Sequence, residues 1–379
     1  MSDAKRYDVA VIGAGMAGAS LAWQIAPSAS VILLERESQP GDHSTGRSAA
    51  MFMETYGTPM IQALTRASRA FLTQPPDGFT DQALLHPRGV LYLATHEQTD
   101  LLQQTYQHLR AQADNVELID AQACVARVPC LRAERLSGGI VEPDAMDLEV
   151  HALHQGYLRG ARQAGAELRC HATLTSARRE ADHWVLTLAD GSLVHARQLV
   201  NAAGAWADDV AALCGAQPVG LEPRRRTAFT FAAPAGVNTQ TWPAVVGVAE
   251  NFYFKPDAGQ LLGSPANADP VAPHDVVAEE LDVAIGIHEI TEATTLEIRR
   301  PSHVWAGLRS FVADGDFVIG WDDACPDFFW LAGQGGYGIQ TAPGASTLAA
   351  ALLRREPLPA ALTDHGVDAS AVAVRRLRP

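Results

Sequence analysis

Short apolar runs closed by polar or glycine turns alternate along this chain with stretches whose apolar positions recur every three or four residues. Val9-Ala10-Val11-Ile12 reads as a buried strand, the stretch from Gly13 to about Pro27 as a helix, and Val31-Ile32-Leu33-Leu34 as a second strand. Val150, Leu153, Tyr157, Ala161 and Ala164 fall at spacings of three and four, which predicts a helix over 147–164 with one buried face. Further helices are predicted over 58–73, 97–113, 279–294 and 342–354. Strands are predicted over 89–93, near 167–174, 184–190 and 194–202, over 308–320 and over 328–332. Between them, 226–264 holds several short β runs divided by proline and glycine turns. No internal repeat or low-complexity tract is visible.

The turn after the first strand reads Gly13-Ala14-Gly15-Met16-Ala17-Gly18, and the second strand ends in Glu35, about twenty residues on. Strand, glycine turn, helix and acidic residue together form a dinucleotide fingerprint. The glycines let backbone approach a pyrophosphate, the helix N-terminus offers free N–H groups, and Glu35 can accept from a ribose 2′-OH while repelling a 2′-phosphate. NADP is thereby disfavoured, while FAD and NAD both stay open. Glycine turns after strands recur near Gly204 and Gly335, which predicts one nucleotide domain assembled from separated segments.

Composition narrows the picture. With 379 residues and 47% apolar content the chain can hold two domains around sizeable cores. A net charge of −14, from 29 basic and 43 acidic residues, argues against nucleic acid or an anionic membrane as partner. No apolar run is long enough to span a bilayer, and the polar segment Met1 to Tyr7 reads as no signal peptide. Five cysteines without a CxxC pair read as reduced thiols, so a cytoplasmic protein is expected, and no metal.

Three motifs together resemble the D-amino-acid oxidase-like superfamily of FAD enzymes: the fingerprint with Glu35-Arg36, the loop His43-Ser44-Thr45-Gly46-Arg47-Ser48-Ala49-Ala50, and Val200-Asn201-Ala202-Ala203-Gly204-Ala205-Trp206. Within it the chain is similar to bacterial D-arginine dehydrogenases, through 152–160, 262–267 and Trp305-Ala306-Gly307-Leu308-Arg309-Ser310-Phe311. The resemblance implies an α/β fold. A Rossmann-like FAD-binding domain would be built from 1–55, 145–220 and 310–379, and an α+β substrate domain on a mixed or antiparallel sheet from 56–144 and 221–309. It implies noncovalent FAD held by Gly13, Gly15, Ala17, Gly18, Glu35, Arg36, Ser44, Thr45, Gly46, Arg47, Ser48, Ala49, Ala50, Met51, Leu174, Ala203 and Gly204, and by Gly335, Gly336, Tyr337, Gly338, Ile339 and Gln340 before the last helix. The activity implied is oxidation of a D-amino acid, hydride passing from Cα to flavin N5. The imino acid then hydrolyses to a 2-oxo acid and ammonia, and a quinone or other acceptor reoxidises the cofactor. Arg309 would bind the α-carboxylate, Arg226 would be a second arginine in contact with the substrate, and Tyr56 and Tyr253 would line the cavity beside Gly336 and help hold the carboxylate. Arg224 and Arg225, from the same run, read as a solvated face.

The chain departs from that family at two positions. Met51 stands where the D-arginine dehydrogenases carry histidine, and methionine cannot accept a proton; Glu54 is a possible substitute or an ordinary surface glutamate. Val90 stands where they carry a glutamate facing the cationic side chain, and the loss of such a partner costs about 2–5 kcal/mol. Met51, Met53 and Val90 are therefore expected to prefer neutral or apolar side chains over Arg and Lys. Cys325 directly precedes Pro326-Asp327, the wrong spacing for a covalent flavin link. An enzyme of the same superfamily acting on a secondary amine or a 2-hydroxy acid is the alternative, and a flavin-binding protein without turnover a more distant one.

Overall fold

The computed structural model describes residues 5–378; residues 1–4 and 379, which the expected cofactor segments include, lie outside it. The chain opens with β1 (Arg6–Ile12), α1 (Met16–Ile25) and β2 (Val31–Leu34), then a long polar loop to β3 (Met51–Phe52). After α2 (Pro59–Thr73) come β4 (Leu85–Pro87), β5 (Val90–Thr95), α3 (Thr99–Arg110), β6 (Glu117–Ile119), α4 (Ala121–Arg127), β7 (Leu136–Glu142) and β8 (Met146–Leu148). The middle of the chain holds α5 (Val150–Gln163), β9 (Glu167–Arg169), β10 (Leu174–Glu180), β11 (His183–Leu188), β12 (Leu193–Asn201) and α6 (Ala207–Leu213). It continues through β13 (Glu222–Phe231), β14 (Ala244–Gly247), β15 (Tyr253–Asp257), β16 (Gln260–Ser264), β17 (Asp269–Pro270) and α7 (Glu280–Ala293). The last elements that bear on the site are β18 (His303–Phe311), β19 (Val318–Trp321), β20 (Phe328–Ala332) and α8 (Ala342–Arg354).

Two large sheets organise these elements. In the first, β1 lies between β2 and β12, parallel to both, and the second half of β12 runs parallel to β20. Near-continuous apolar runs such as Phe328–Ala332 suit these positions, because both faces are covered. The helices α1, α5 and α8 pack together over one face. The second sheet has β18, β13, β16, β15, β14, β5, β7 and β6 in spatial order, mostly antiparallel, with β17 on a further edge of β13. A small third sheet, β3-β8-β4, joins the segments leading into the two larger ones.

The structure corrects the predicted elements in three places. The strand expected near 167–174 is broken after Arg169, where His171 takes the left-handed conformation (φ 53°), and resumes as β10. The strand expected over 308–320 is two strands, β18 and β19, parted by a turn at Gly315 (φ 80°). β7 carries no sequence signal because Gly138 and Gly139 interrupt it; a Cβ on Gly139 would reach Tyr92 O at 2.6 Å and Cys124 Sγ at 2.8 Å, so the close packing of α4 and β5 needs the glycine.

Candidate active site

One cleft runs from the fingerprint to the second sheet. At its first end, Gly13 (φ 96°) makes the turn out of β1, and any side chain there would overlap the Ala202 carbonyl. A side chain on Gly18 would overlap the Gly13 carbonyl, so this residue serves the packing of α1 on the turn and does not line the cleft. Gly15 caps α1 without any side-chain bond of its own, leaving the helix N-terminus open to an anion. The Met16 N–H donates to Thr45 Oγ1 (3.0 Å), which ties the loop after β2 to that terminus. Glu35 is buried, has no cation partner among the described residues, and accepts from the Ala14 and Glu37 N–H groups at 3.0 and 3.1 Å. His154, from α5, braces the same turn through Nε2 and the Ala14 carbonyl (2.8 Å).

Of the residues expected around the cofactor, Gly13, Gly15, Ala17, Glu35, Arg36, Ser44, Thr45, Arg47, Ser48, Ala49, Leu174, Ala203, Gly204, Gly335, Gly336, Gly338 and Ile339 line this cleft. Ala50 packs against the core instead, and Gly46 closes a turn on the Gly41 carbonyl (2.7 Å). The guanidinium of Arg47 is engaged by Asp275 (2.6 Å) and by the Val276 carbonyl (2.9 Å), so it anchors the loop to the segment before α7. Gln340 is buried and grips Met53, accepting from its N–H (3.1 Å). Trp206 lines the cleft beneath Arg36, whose guanidinium lies 4.3 Å from the ring centroid. At the rim Glu37, Asp42 and His43 place donor atoms within 4.8 Å of one another, with His43 Nε2 bonded to Glu37 (2.9 Å).

These features fit a flavin dinucleotide. The buried, cation-free Glu35 suits ribose hydroxyls, the uncapped α1 suits the pyrophosphate, and the turn Gly335–Gln340 at the uncapped N-terminus of α8 closes the far end. No cysteine lines the cleft. Cys325 is buried near the Cys214 carbonyl (3.7 Å), and burial pushes its thiol up to about 11.

The far end of the cleft is built by one face of the second sheet. Directly paired residues point to the same face, as do alternate residues along a strand. The pairs Arg226↔Gly307 and Arg224↔Arg309 therefore put Arg226 and Arg309 on one face, and Ser264↔Tyr253, Tyr253↔Val246 and Val246↔Tyr92 extend that face across the sheet. Arg226, Tyr253 and Arg309 all line the cleft. Neither guanidinium meets a carboxylate within ion-pair distance among the described residues, and Arg226 Nε is buried without any partner. Burial, with Arg309 facing it, lowers the pKa of Arg226. Tyr56 stacks edge-on against Tyr337 (4.9 Å between centroids) and lies beside Arg309, whose pKa it helps to hold up against burial. A Cβ on Gly336 would stand 3.0 Å from Arg309 Nη1, so glycine is what lets this loop lie against the arginine.

Arg225 is not on a solvated face. It points to the opposite side of β13, is buried, and is held by Asp282 (2.9 Å), Glu279 and Asp269. Arg224 is half-exposed and pairs with Glu222 (2.6 Å). Glu54 is bound by Arg69 (2.8 Å), so it is not a free base. Met51, Met53 and Val90 come together in an apolar cluster with Ala145, Ala244, Tyr92 and Val246, but none of the three lines the cleft and Val90 is fully buried. The sequence reading missed Tyr92 and Glu142, which the same sheet face brings beside this cluster; the only signal was the alternation along β5, which carries Val90 and Tyr92 on one side.

The dinucleotide cleft thus ends at two guanidiniums and the ring of Tyr253, a layout that suits a flavin oxidoreductase. The chain belongs to the DAO family of FAD-dependent oxidoreductases, whose pattern matches residues 8–352. Among its relatives, glycine oxidase of Geobacillus kaustophilus is 24% identical over 95% of this chain and 97% of its own. Human mitochondrial dimethylglycine dehydrogenase is 29% identical over 69% of this chain, which spans about a third of that longer protein. The crystal structure of the Geobacillus glycine oxidase has the same fold, with a TM-score of 0.84 at 22% identity over 98% of this chain and 99% of its own. Iminodiacetate oxidase from Chelativorans sp. BNC1 follows at 0.79 and 22% identity, over 93% and 97%. The protein is an FAD-dependent oxidoreductase. Among the described residues no helix is long and apolar enough to cross a membrane.

Proposed function

We propose that this protein oxidises a D-amino acid at Cα, giving the imino acid that hydrolyses in water to a 2-oxo acid and ammonia. The observation that carries this reading is the pair of guanidiniums, Arg226 and Arg309, that line the cleft with no carboxylate of their own. A substrate α-carboxylate supplies the missing charge, and a planar guanidinium grips it bidentately. Tyr56 and Tyr253 add hydroxyl donors beside it, and anchoring the carboxylate fixes where Cα stands. Bound FAD supplies the hydride acceptor. The apolar cluster of Met51, Met53 and Val90, which offers no carboxylate to a cationic side chain, supports a preference for neutral side chains over Arg and Lys. All five cysteines are unpaired, which supports a cytoplasmic setting, with a quinone or another acceptor reoxidising the cofactor.

Anaerobic reduction of the bound flavin by a panel of D-, L- and N-methyl amino acids and 2-hydroxy acids tests the reading. Neutral D-amino acids should reduce it fastest; highest kcat/KM for D-Arg removes the side-chain preference, and reduction only by L-amino acids or hydroxy acids removes the whole proposal. A second reading, a secondary amine with a carboxylate, is supported by Met51, which makes no strong bond to an amine, and by similarity to dimethylglycine dehydrogenase and iminodiacetate oxidase. Fastest reduction by the N-methyl members selects it.

A further inference from the structure

Oxidation at Cα requires an amine nitrogen with its lone pair free, so an ammonium substrate must first lose a proton. The residues placed at the site so far do not take it: Met51 has no basic atom, Glu54 is held by Arg69, and Arg226 and Arg309 are cations. The same face of the second sheet carries one further acid. Glu142, the last residue of β7, pairs directly with Val90 and is only 3% exposed. Its carboxylate accepts from Thr55 Oγ1 (2.7 Å) and from Tyr92 Oη (3.3 Å), and no cation lies within ion-pair distance of it among the described residues.

Tyr92 links this acid to the sheet row that reaches the cleft at Tyr253. It is half-buried, packs with Met51, Met53 and Val246, and shares a cross-strand row with Tyr253. Its proton points to Glu142, so the oxygen keeps lone pairs for a second donor. The surrounding charges leave the pair uncompensated. Glu54 is spent on Arg69, Asp144 lies beyond the end of β7, and the Glu250 and Tyr56 charges add to that of Glu142 on Tyr92. Lys255, in the same row as Ala244, Val90 and Glu142, is held by Asp147 (2.6 Å), which also binds Arg88. Burial, with Asp144 and Glu54 adding to it, pushes the Glu142 carboxyl above the usual carboxylate range against the pull of Thr55 and Tyr92.

We infer that Tyr92 and Glu142 form a relay that takes the ammonium proton of the substrate, in place of a side-chain base at position 51. The N–H bond breaks as its proton passes to Tyr92 Oη, and the proton already on Tyr92 passes to a carboxylate oxygen of Glu142. The nitrogen keeps the electron pair, which becomes the C=N bond when hydride leaves; no oxidation occurs in the proton step itself, and the proton passes from Glu142 through Tyr92 to water once the product has left. Tyr92 is the group that touches substrate; Glu142 acts through it. The relay rests on the proposed function.

The test is rapid anaerobic flavin reduction of the FAD holoenzyme by a neutral D-amino acid, from neutral to strongly alkaline pH, for wild type, Tyr92→Phe and Glu142→Gln. Both variants should reduce about a hundredfold more slowly near neutrality. Both should recover toward the wild-type rate above the amine's own pKa, with substrate affinity changed by no more than a few-fold. A loss equal at every pH marks a bracing role for Thr55 and the Tyr56 segment and overturns the relay, as does no loss at all. A second readout needs no turnover: 2-methylalanine has no Cα hydrogen to give. Its binding to wild type at alkaline pH should raise a protonated-carboxyl infrared band that neither variant shows; absence of the band in wild type overturns the relay. A wild-type flavin that no amino acid reduces overturns the proposed function and the relay with it, whereas a reducible wild type with unchanged variants overturns the relay alone.

Discussion

Arg225 and Arg226 are neighbours in the chain and opposites in every other respect. On the back of β13, Arg225 is met by Asp282, Glu279 and Asp269, and Asp282 is further satisfied by Thr227 (2.8 Å) and Asn267 (3.1 Å). On the front, Arg226 faces another arginine and leaves Nε without a partner. A charge that serves the fold is neutralised within the chain, because an unpaired buried ion is costly. A charge that serves a ligand is left waiting, at some expense of stability. The alternation of a single strand separates the two roles.

Four substitutions can break or sharpen that contrast. Arg309→Met should lower kcat/KM by about a thousandfold, the loss of one partner of a buried charge pair, while flavin content and thermal stability hold; retained kcat/KM would mean that the carboxylate binds elsewhere. Arg225→Met should act in the reverse sense, costing about 3 kcal/mol in urea unfolding because Asp282 is left buried and uncompensated, with kcat/KM of the folded enzyme near wild type. Arg226→Met should raise KM about tenfold, worth about 1.4 kcal/mol, and leave stability unchanged or improved; a stability loss matching that of Arg225→Met would erase the distinction between the faces. The smallest effect concerns Glu142. Its carboxyl is raised in the folded state above the ordinary value of 4.5, so the folded protein holds the proton more tightly than the unfolded chain. Stability should therefore fall as pH climbs from that ordinary value through the raised one, and stay flat below it; in Glu142→Gln, chemical denaturation across that window should show a shallower slope.

What the sequence disclosed follows from how local each feature is. The fingerprint is a contiguous run whose glycines answer to backbone geometry alone, and the strand Phe328–Ala332 and helix Ala342–Arg354 announce themselves by unbroken apolarity and by period. The loop from Ser44 and the turn before α8 were legible only through family resemblance, since serine and glycine there also suit ordinary turns. Cross-strand neighbours left no trace. Tyr92 and Glu142 are 50 residues apart and meet only through the register of β5 on β7, in a strand whose two glycines hide it. The fate of Arg225 likewise hung on α7, which delivers Asp282 from 57 residues away.

The parallel pairing of β1 with β12 has a consequence in time. The fingerprint strand is made first, yet its neighbour in the sheet arrives about 190 residues later. At roughly 5–20 residues per second a ribosome spends on the order of ten to forty seconds between them. Through that interval the apolar face of β1 has no parallel partner on that side, and β20, which completes the sheet, emerges later still. Gly335, Gly336 and Ile339, which close the cleft, follow β20 in the chain, so a complete cofactor cleft exists only after both halves of the sheet have been made.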